Sequence, residues 1–169
     1  GRRRDGGDGG VTLAYVALGA NLGNPIQTVK SALDHLNAIA ATRRLAASSL
    51  YRTAPVGIRH QPDFINAVAL LETQLAPQAL LDALFAIERQ FGRQRSVRNA
   101  PRTLDLDLLL HGDSVIDTPQ LTLPHPRMHE RAFVLAPLAE IAPQATIPGR
   151  GAVAVLLAAL ADQAVERIA

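Results

Sequence analysis

Asp105 and Asp107 stand two residues apart in the run Leu104-Asp-Leu-Asp-Leu-Leu-Leu-His111. Leu104, Leu106, Leu108 and Leu110 alternate with Asp105, Asp107 and Leu109. This period of two predicts a β-strand with one fully apolar face and both carboxylates on the other. Residues two apart on a strand are separated by about 6.5–7 Å, close enough for their side chains to converge on one metal ion or a close pair. Immediately upstream, Arg89, Arg93, Arg95, Arg98 and Arg102 occur with no acidic residue among them. Arginines suited to phosphate oxygens thus neighbour carboxylates suited to magnesium, the combination that phosphoryl transfer requires.

Each half also has a plainer explanation. An isolated Asp-x-Asp is more often the wet face of a half-buried strand, and an arginine run is more often a solvated face. Two features weigh against these readings. Asp is a poor strand former where Thr, Lys or Glu would serve a solvated face, and Gly92, Asn99, Ala100 and Pro101 mark the arginine stretch as loop rather than helix.

The elements that must position these groups follow from periodicity. Residues 11–18 read as a first strand, ended by the turn-forming Gly19-Ala-Asn-Leu-Gly-Asn24. Asn24 is placed to cap a helix that starts at Pro25, with Ile26, Val29, Leu33, Leu36 and Ile39 at helical spacing to about Ala41. A strand over 45–51, a loop over 52–61 and a strand over 64–73 come next, and the two strands are expected to pair. Pro77 opens a second helix with an apolar stripe of Leu80, Leu81, Leu84, Ile87 and Phe91, closing near Gly92. After the aspartate strand, His111-Gly-Asp113 signals a hairpin, with Val115-Ile116 as its return. The order is βαββαβ, an α+β ferredoxin-like plan with helices on one face of an antiparallel sheet. Beyond it, a helix is expected around 127–139, bent or interrupted by Pro137, and an alanine-rich helix from about Ala152.

Composition narrows the function classes. With 169 residues and 48% hydrophobic content, residues 11–169 are expected to form one domain after a flexible tail over 1–10. The chain has no cysteine, so thiolate metal sites are excluded. Aromatic residues are 4% and Trp is absent, which argues against a stacking platform for nucleic acid. The Arg2–Arg4 cluster is separated from the first apolar run by Asp5-Gly-Gly-Asp-Gly-Gly10, unlike a secretory signal, and no apolar stretch reaches the ~18 residues needed to span a membrane. The expectation is a cytoplasmic monomer without membrane or nucleic-acid partners. No Gly-Lys-Ser/Thr loop is present and the only lysine is Lys30, so a bound nucleotide would rely on arginines and metal for its phosphates.

The run Arg98-x-Ala-Pro-Arg102-x-x-Asp105-Leu-Asp107-Leu-Leu resembles the signature of the 6-hydroxymethyl-7,8-dihydropterin pyrophosphokinases of the folate pathway. Tyr15-Val-Ala-Leu-Gly-Ala-Asn-Leu-Gly, Tyr51-Arg-Thr-Ala-Pro-Val-Gly, Gln61-Pro-Asp-Phe-Ile-Asn66 and Leu123-Pro-His125-Pro-Arg-Met-His-Glu-Arg131-Ala-Phe133 extend the likeness. It implies transfer of the β,γ-pyrophosphoryl group of ATP to the pterin hydroxymethyl group, with release of AMP. It also implies that Asp105 and Asp107 hold two Mg²⁺ ions and that Arg93 and Arg102 meet phosphates in the transition state. Arg95 and Arg98 lie in the same loop. The same resemblance assigns Glu88, Thr122, His125 and Arg131 to ATP. To the pterin it assigns Asn66, the ring faces of Phe64 and Phe133, and the backbone from Thr53 through Ala54 and Pro55 to Val56. The loops over 52–61 and 93–100 are then expected to close over both substrates.

Two departures stand out. Some members carry Trp where this chain has Asn99, and some have Tyr where Phe64 stands. Two other classes share parts of the pattern. An RNA-binding ferredoxin-like module would need aromatics on the sheet strands, which the aspartate strand lacks. A metal-dependent nucleotidyltransferase would share the aspartates and differ at Phe64, Asn66 and Phe133.

Overall fold

A computed structural model describes residues 10–55, 61–92 and 103–169. Val56, Arg93, Arg95, Arg98, Asn99 and Arg102, the tail over 1–9, half of the loop over 52–61 and all of the loop over 93–100 lie outside the described residues.

Four segments build the central sheet: β1 (Thr12–Ala20), the pair β2 (Thr42–Ala47) and β3 (Tyr51–Thr53), β4 (Phe64–Thr73) and β5 (Asp105–His111). β1 lies between β4 and β5, β4 pairs on its other side with β2 and β3, and every pairing is antiparallel. With α1 (Pro25–Asn37) and α2 (Pro77–Gln90) between them, this is the ferredoxin-like order. Val29, Ala32, Leu33 and Leu36 of α1 and Leu80, Leu81, Leu84 and Ile87 of α2 pack on one face, against Val16, Leu18, Leu106 and Leu108. Among the described residues no helix is long and apolar enough to cross a membrane.

Helix α1 begins as its cap predicts, with Asn24 Oδ1 accepting from Gln27 N at 3.3 Å. It ends at Asn37, short of Ala41, with Ala38 as its C-cap, and Ala41 at φ 56° then turns the chain into β2. The single strand expected over 45–51 is two strands. Ser48 interrupts them, its N–H donating to Val68 O at 2.8 Å and its Oγ accepting from Val68 N at 2.9 Å. A side chain thus replaces one ladder bond where the strand bends.

Strand β5 also departs from strict alternation. Tyr15 pairs with Leu110 but Val16 pairs with Leu108, so Leu109 is an extra residue, a β-bulge. Leu104, Leu106 and Leu108 face α1 and α2, whereas Leu110 joins the opposite cluster and His111 returns to the helix side. There the His111 ring Nε2 donates to Leu75 O at 2.9 Å. The strand therefore does not keep all four alternate leucines on one face.

Beyond β5 the chain corrects three further expectations. The return strand is not paired with β5: β6 (Ile116–Asp117) pairs with β7 (Thr122–Leu123) in a separate ribbon. Thr118 closes its turn, its Oγ1 donating to Leu121 O and accepting from Leu121 N, both at 3.0 Å. The helix expected around 127–139 is a single 3₁₀ turn, Met128–Glu130, followed by α3 (Ala132–Ile141). The interruption falls at extended Arg131 (φ −121°, ψ 106°), while Pro137 stays inside α3. The C-terminal part is the small pair β8 (Thr146–Ile147) and β9 (Gly151–Ala152), the short α4 (Val153–Ala158) and a strand, β10 (Glu166–Arg167), laid on the free edge of β3. α3 packs Val134, Leu135 and Leu138 on the second sheet face, against Ala17, Val68 and Leu110, so helices cover both faces.

Removing the Ser48 hydroxyl leaves the buried Val68 N–H without an acceptor. Ser48→Ala should lower stability by about 1–3 kcal/mol, read from urea unfolding, with little change in the denaturant slope.

Candidate active site

The sheet register lines up the site. Tyr51 pairs with Asn66, Asn66 with Gly19 and Gly19 with Asp105, so these four share one face in a row across β3, β4, β1 and β5. The next row on that face is Val68, Ala17 and Asp107. Because α3 covers only the lower part of this face, the upper row opens into a cavity of about 830 Å³. Its lining includes Thr53, Ala54, Pro55, Phe64, Asn66 and Phe133, which are all the expected pterin residues that are described. Asp105, Asp107 and Arg131 line it as well.

Gly19 sits between Asn66 and Asp105, two strand spacings or about 10 Å apart. A Cβ there would lie 3.3 Å from Asn66 Oδ1, so glycine keeps the cavity floor open and the amide undisturbed. The Asn66 amide is buried, and its Nδ2 donates to Thr53 Oγ1 at 2.9 Å. Beyond that bond the amide of this cavity-lining residue has an acceptor in Oδ1 and a second N–H donor, a pair suited to the edge of a heterocycle. On the far side of β4, Asn21 Nδ2 donates to Gln61 Oε1 at 3.1 Å and Pro62 O at 3.3 Å, tying the loop after β1 to the segment that leads into Phe64.

A second cavity of about 320 Å³ opens between α2, β5 and the β6–β7 ribbon. Thr122 and His125 line it together with Phe85, Leu121 and Asp107. Asp107 therefore borders both cavities. His125 is anchored to the β5 bulge, its N–H donating to Leu109 O at 2.9 Å. Its Nδ1 accepts from Arg127 N at 3.2 Å, so in the neutral ring Nε2 carries the proton. Burial, then the charges of Arg131 and Arg127, push its pKa down to about 4, and the neutral form prevails near pH 7.

Glu88 is placed differently from a residue that reaches into either cavity. It is 1% exposed, and its Oε2 accepts from Leu106 N at 2.8 Å, between the two aspartates. β5 is the sheet edge, so Leu106 N and Leu109 O point away from β1, and Glu88 and His125 N supply their partners. Arg131 lies with its guanidinium 5.6 Å from the Phe133 ring centroid, a cation–π contact at the mouth of α3.

Sequence reasoning did not find Gln163, Ala164 and Val165, which wall the larger cavity. Nor did it find Gly19 as a floor residue, although its place in an otherwise β-forming run was the available signal.

Mg²⁺ fits the donors present. Among the described residues no group of three or more His, Asp or Glu side chains could hold a metal ion. Two carboxylates on one face, bordering a cavity, are a sparse and all-oxygen set. Mg²⁺ is held in this way when substrate phosphates and water complete its coordination, whereas zinc would take three or four protein ligands.

Glu88→Ala should cost about 1–3 kcal/mol by stranding Leu106 N, whereas Glu88→Gln keeps an acceptor and should lose less. Comparing the two urea midpoints checks this. Equal losses would remove the proposed role of the Leu106 bond.

The model of one family, 7,8-dihydro-6-hydroxymethylpterin-pyrophosphokinase, matches residues 15–143. The chain is 49% identical over 158 residues to the 2-amino-4-hydroxy-6-hydroxymethyldihydropteridine pyrophosphokinase of Pseudomonas aeruginosa, covering 94% of this chain and 98% of that one. It is 44% identical over 149 residues to the Haemophilus influenzae protein of the same name, covering 88% and 93%. In fold it is similar to a solved structure of Plasmodium falciparum HPPK-DHPS wild type with pteroate, at TM-score 0.73 and 14% identity, covering 90% of this chain and 43% of that one. The chain thus spans less than half the length of that larger protein, and the likeness speaks for the fold alone. Matched by that family's model over 15–143 and by these relatives almost end to end, the chain belongs to the 7,8-dihydro-6-hydroxymethylpterin-pyrophosphokinase family.

Proposed function

We propose that residues 11–169 act as one pyrophosphokinase unit that transfers the pyrophosphoryl group of ATP to 6-hydroxymethyl-7,8-dihydropterin in folate biosynthesis, yielding the pterin diphosphate and AMP. One observation carries the reading at residue level: Asp107 borders both cavities, and Asp105 stands beside it in the larger one. A molecule in the Thr122–His125 cavity and a second against Asn66 and Phe64 would meet at the aspartate pair. In the transfer, the pterin hydroxymethyl oxygen forms a bond to the β-phosphorus. The bond from that phosphorus to the α,β-bridging oxygen breaks, AMP leaves with the bridging oxygen, and the hydroxyl proton departs to solvent or phosphate.

Each residue then has a defined task. Asn66 reads the polar edge of the pterin, while Phe64 and Phe133 cover its ring faces and Thr53, Ala54 and Pro55 close the side. Asp105 and Asp107 hold the two Mg²⁺ ions, which when bound offset the triphosphate charge and favour in-line displacement. The neutral His125 ring offers its Nε2–H to a nucleotide oxygen and adds no competing charge. Thr122 and Arg131 flank the same path, and Glu88 contributes by holding the strand between the aspartates. Arg93, Arg95, Arg98 and Arg102 are assigned to phosphate oxygens, on the grounds of their charge and their closeness in sequence to Asp105. Transfer without a dedicated side-chain base is consistent with a loose transition state, in which alignment and charge compensation dominate.

A coupled assay for AMP release from ATP, run with and without the pterin, tests the reaction; AMP formation that ignores the pterin would overturn it. Asp105→Asn and Asp107→Asn should each cut turnover on the order of a hundredfold or more while leaving the thermal midpoint nearly unchanged. Near-normal turnover in both would remove the metal assignment. Phe64→Ala should weaken pterin binding by about 1–3 kcal/mol and nucleotide binding far less, as measured by calorimetry on each ligand.

A further inference from the structure

Part of the wall of the larger cavity is built by a C-terminal segment, Gln163 to Val165, that lies beyond the residues matched by the family, 15–143. Its geometry is specific. Gln163 Oε1 accepts from Ala132 N at 2.9 Å, and Gln163 Nε2 donates to Glu130 O at 2.9 Å. Ala132 is the first residue of α3, and its N-cap, Arg131, makes no side-chain capping bond. The carboxamide thus supplies the acceptor that a capping side chain would provide, and with its other end it grips the peptide before the break. Arg131 lies between the two gripped residues, and Phe133 follows directly.

The segment that carries Gln163 is itself tied down. Glu166 and Arg167 pair with Arg52 and Tyr51 on the edge of β3, Leu50 N donates to Ala169 O at 3.0 Å and Ile168 N to Leu50 O at 2.9 Å. Glu140 of α3 accepts from Tyr51 OH at 2.7 Å and lies 3.6 Å from Arg167, joining the same strand edge to the far end of the helix. The start of α3 is therefore positioned from β3 through the C-terminal strand, and Gln163 is the last link.

We propose that Gln163 is a positioning residue for the pterin subsite: its carboxamide fixes the start of α3 and with it Phe133, with Ala164 and Val165 completing the wall. The inference rests on the reading of the larger cavity as the pterin site. It assigns Gln163 no contact with reacting atoms.

The test uses the full chain, with Gln163→Met, which keeps the length of the side chain and removes both hydrogen bonds, and Gln163→Glu, which keeps only the acceptor. Calorimetry would read the affinity for hydroxymethyldihydropterin in the presence of magnesium and a non-hydrolysable ATP analogue, and the affinity for the nucleotide alone. Gln163→Met should weaken pterin binding about three- to tenfold, the effect of one or two net hydrogen bonds, with nucleotide affinity within about twofold of wild type. Gln163→Glu should fall between Gln163→Met and wild type. Unchanged pterin affinity in both variants would overturn the proposal, as would equal losses for the two ligands, which mark a general loss of structure. If Gln163→Met does not fold, Gln163→Glu alone decides by the same pterin-against-nucleotide comparison. Failure of wild type to bind the pterin at all would instead remove the underlying reading of the cavity.

Discussion

Two like charges on an edge strand are the constraint on which the site depends. Asp105 and Asp107 repel each other, and among the described residues β5 has a sheet neighbour on one side only, so the ladder there does little to resist fraying at the end where the charges sit. The outward-facing amides of that edge are met by non-ladder partners: Leu106 N by the Glu88 carboxylate and Leu109 O by His125 N. One bond ties the edge to α2 and the other to the loop that carries the second cavity. Holding the strand and building the second cavity are therefore the same set of contacts. The aspartates also interact with their protein surroundings, so neither is free.

The bulge at Leu109 explains how one short strand serves two faces. Up to Leu108 the leucines point to α1 and α2 and the aspartates point to the cavity. After the extra residue the parity reverses, Leu110 enters the α3 core, and His111 turns to the first helix layer to donate to Leu75 O. Without that reversal, the strand would place a histidine among Val134, Leu135 and Leu138. The bulge also exposes the carbonyl that holds His125.

How much of this was legible depended on whether chemistry and periodicity spoke together. They did in β5 up to Leu108, where Asp and Leu alternate, and in β4, which spans Phe64–Thr73 as its β-forming composition implies. Asn24 and Pro25 announced α1 because capping is a local interaction. The parity change was not legible, since Leu108, Leu109 and Leu110 are apolar on either face and a bulge in a leucine run leaves no trace in composition. Ser48 was equally silent: a serine that replaces a ladder bond looks like any strand serine until its partner, Val68, is known. The ribbon β6–β7 carried a signal that was passed over, Thr118-Pro119 ahead of Leu121, which is turn chemistry. The C-terminal strand was hidden by an alanine-rich stretch that suits a helix, because its pairing is with the edge of β3, more than a hundred residues away.

One sheet face does two incompatible jobs, and α3 decides where each begins. Below the Ala17–Val68–Asp107 row the face is covered by leucines and valines of α3, and burial there excludes water. Above it the same face carries Asn66, Gly19 and Asp105, and opens into the larger cavity. The boundary is set by where α3 starts, and that start is abrupt: Arg131 is extended, Ala132 is helical, and the capping role falls to a side chain from elsewhere in the chain. An earlier helix start would lay another turn over the row and close the cavity; a later one would withdraw Phe133 from its wall. The break at Arg131 thus sets how much of the sheet face stays open as cavity. It also brings Arg131 into the lining of the cavity that Asp105 and Asp107 border.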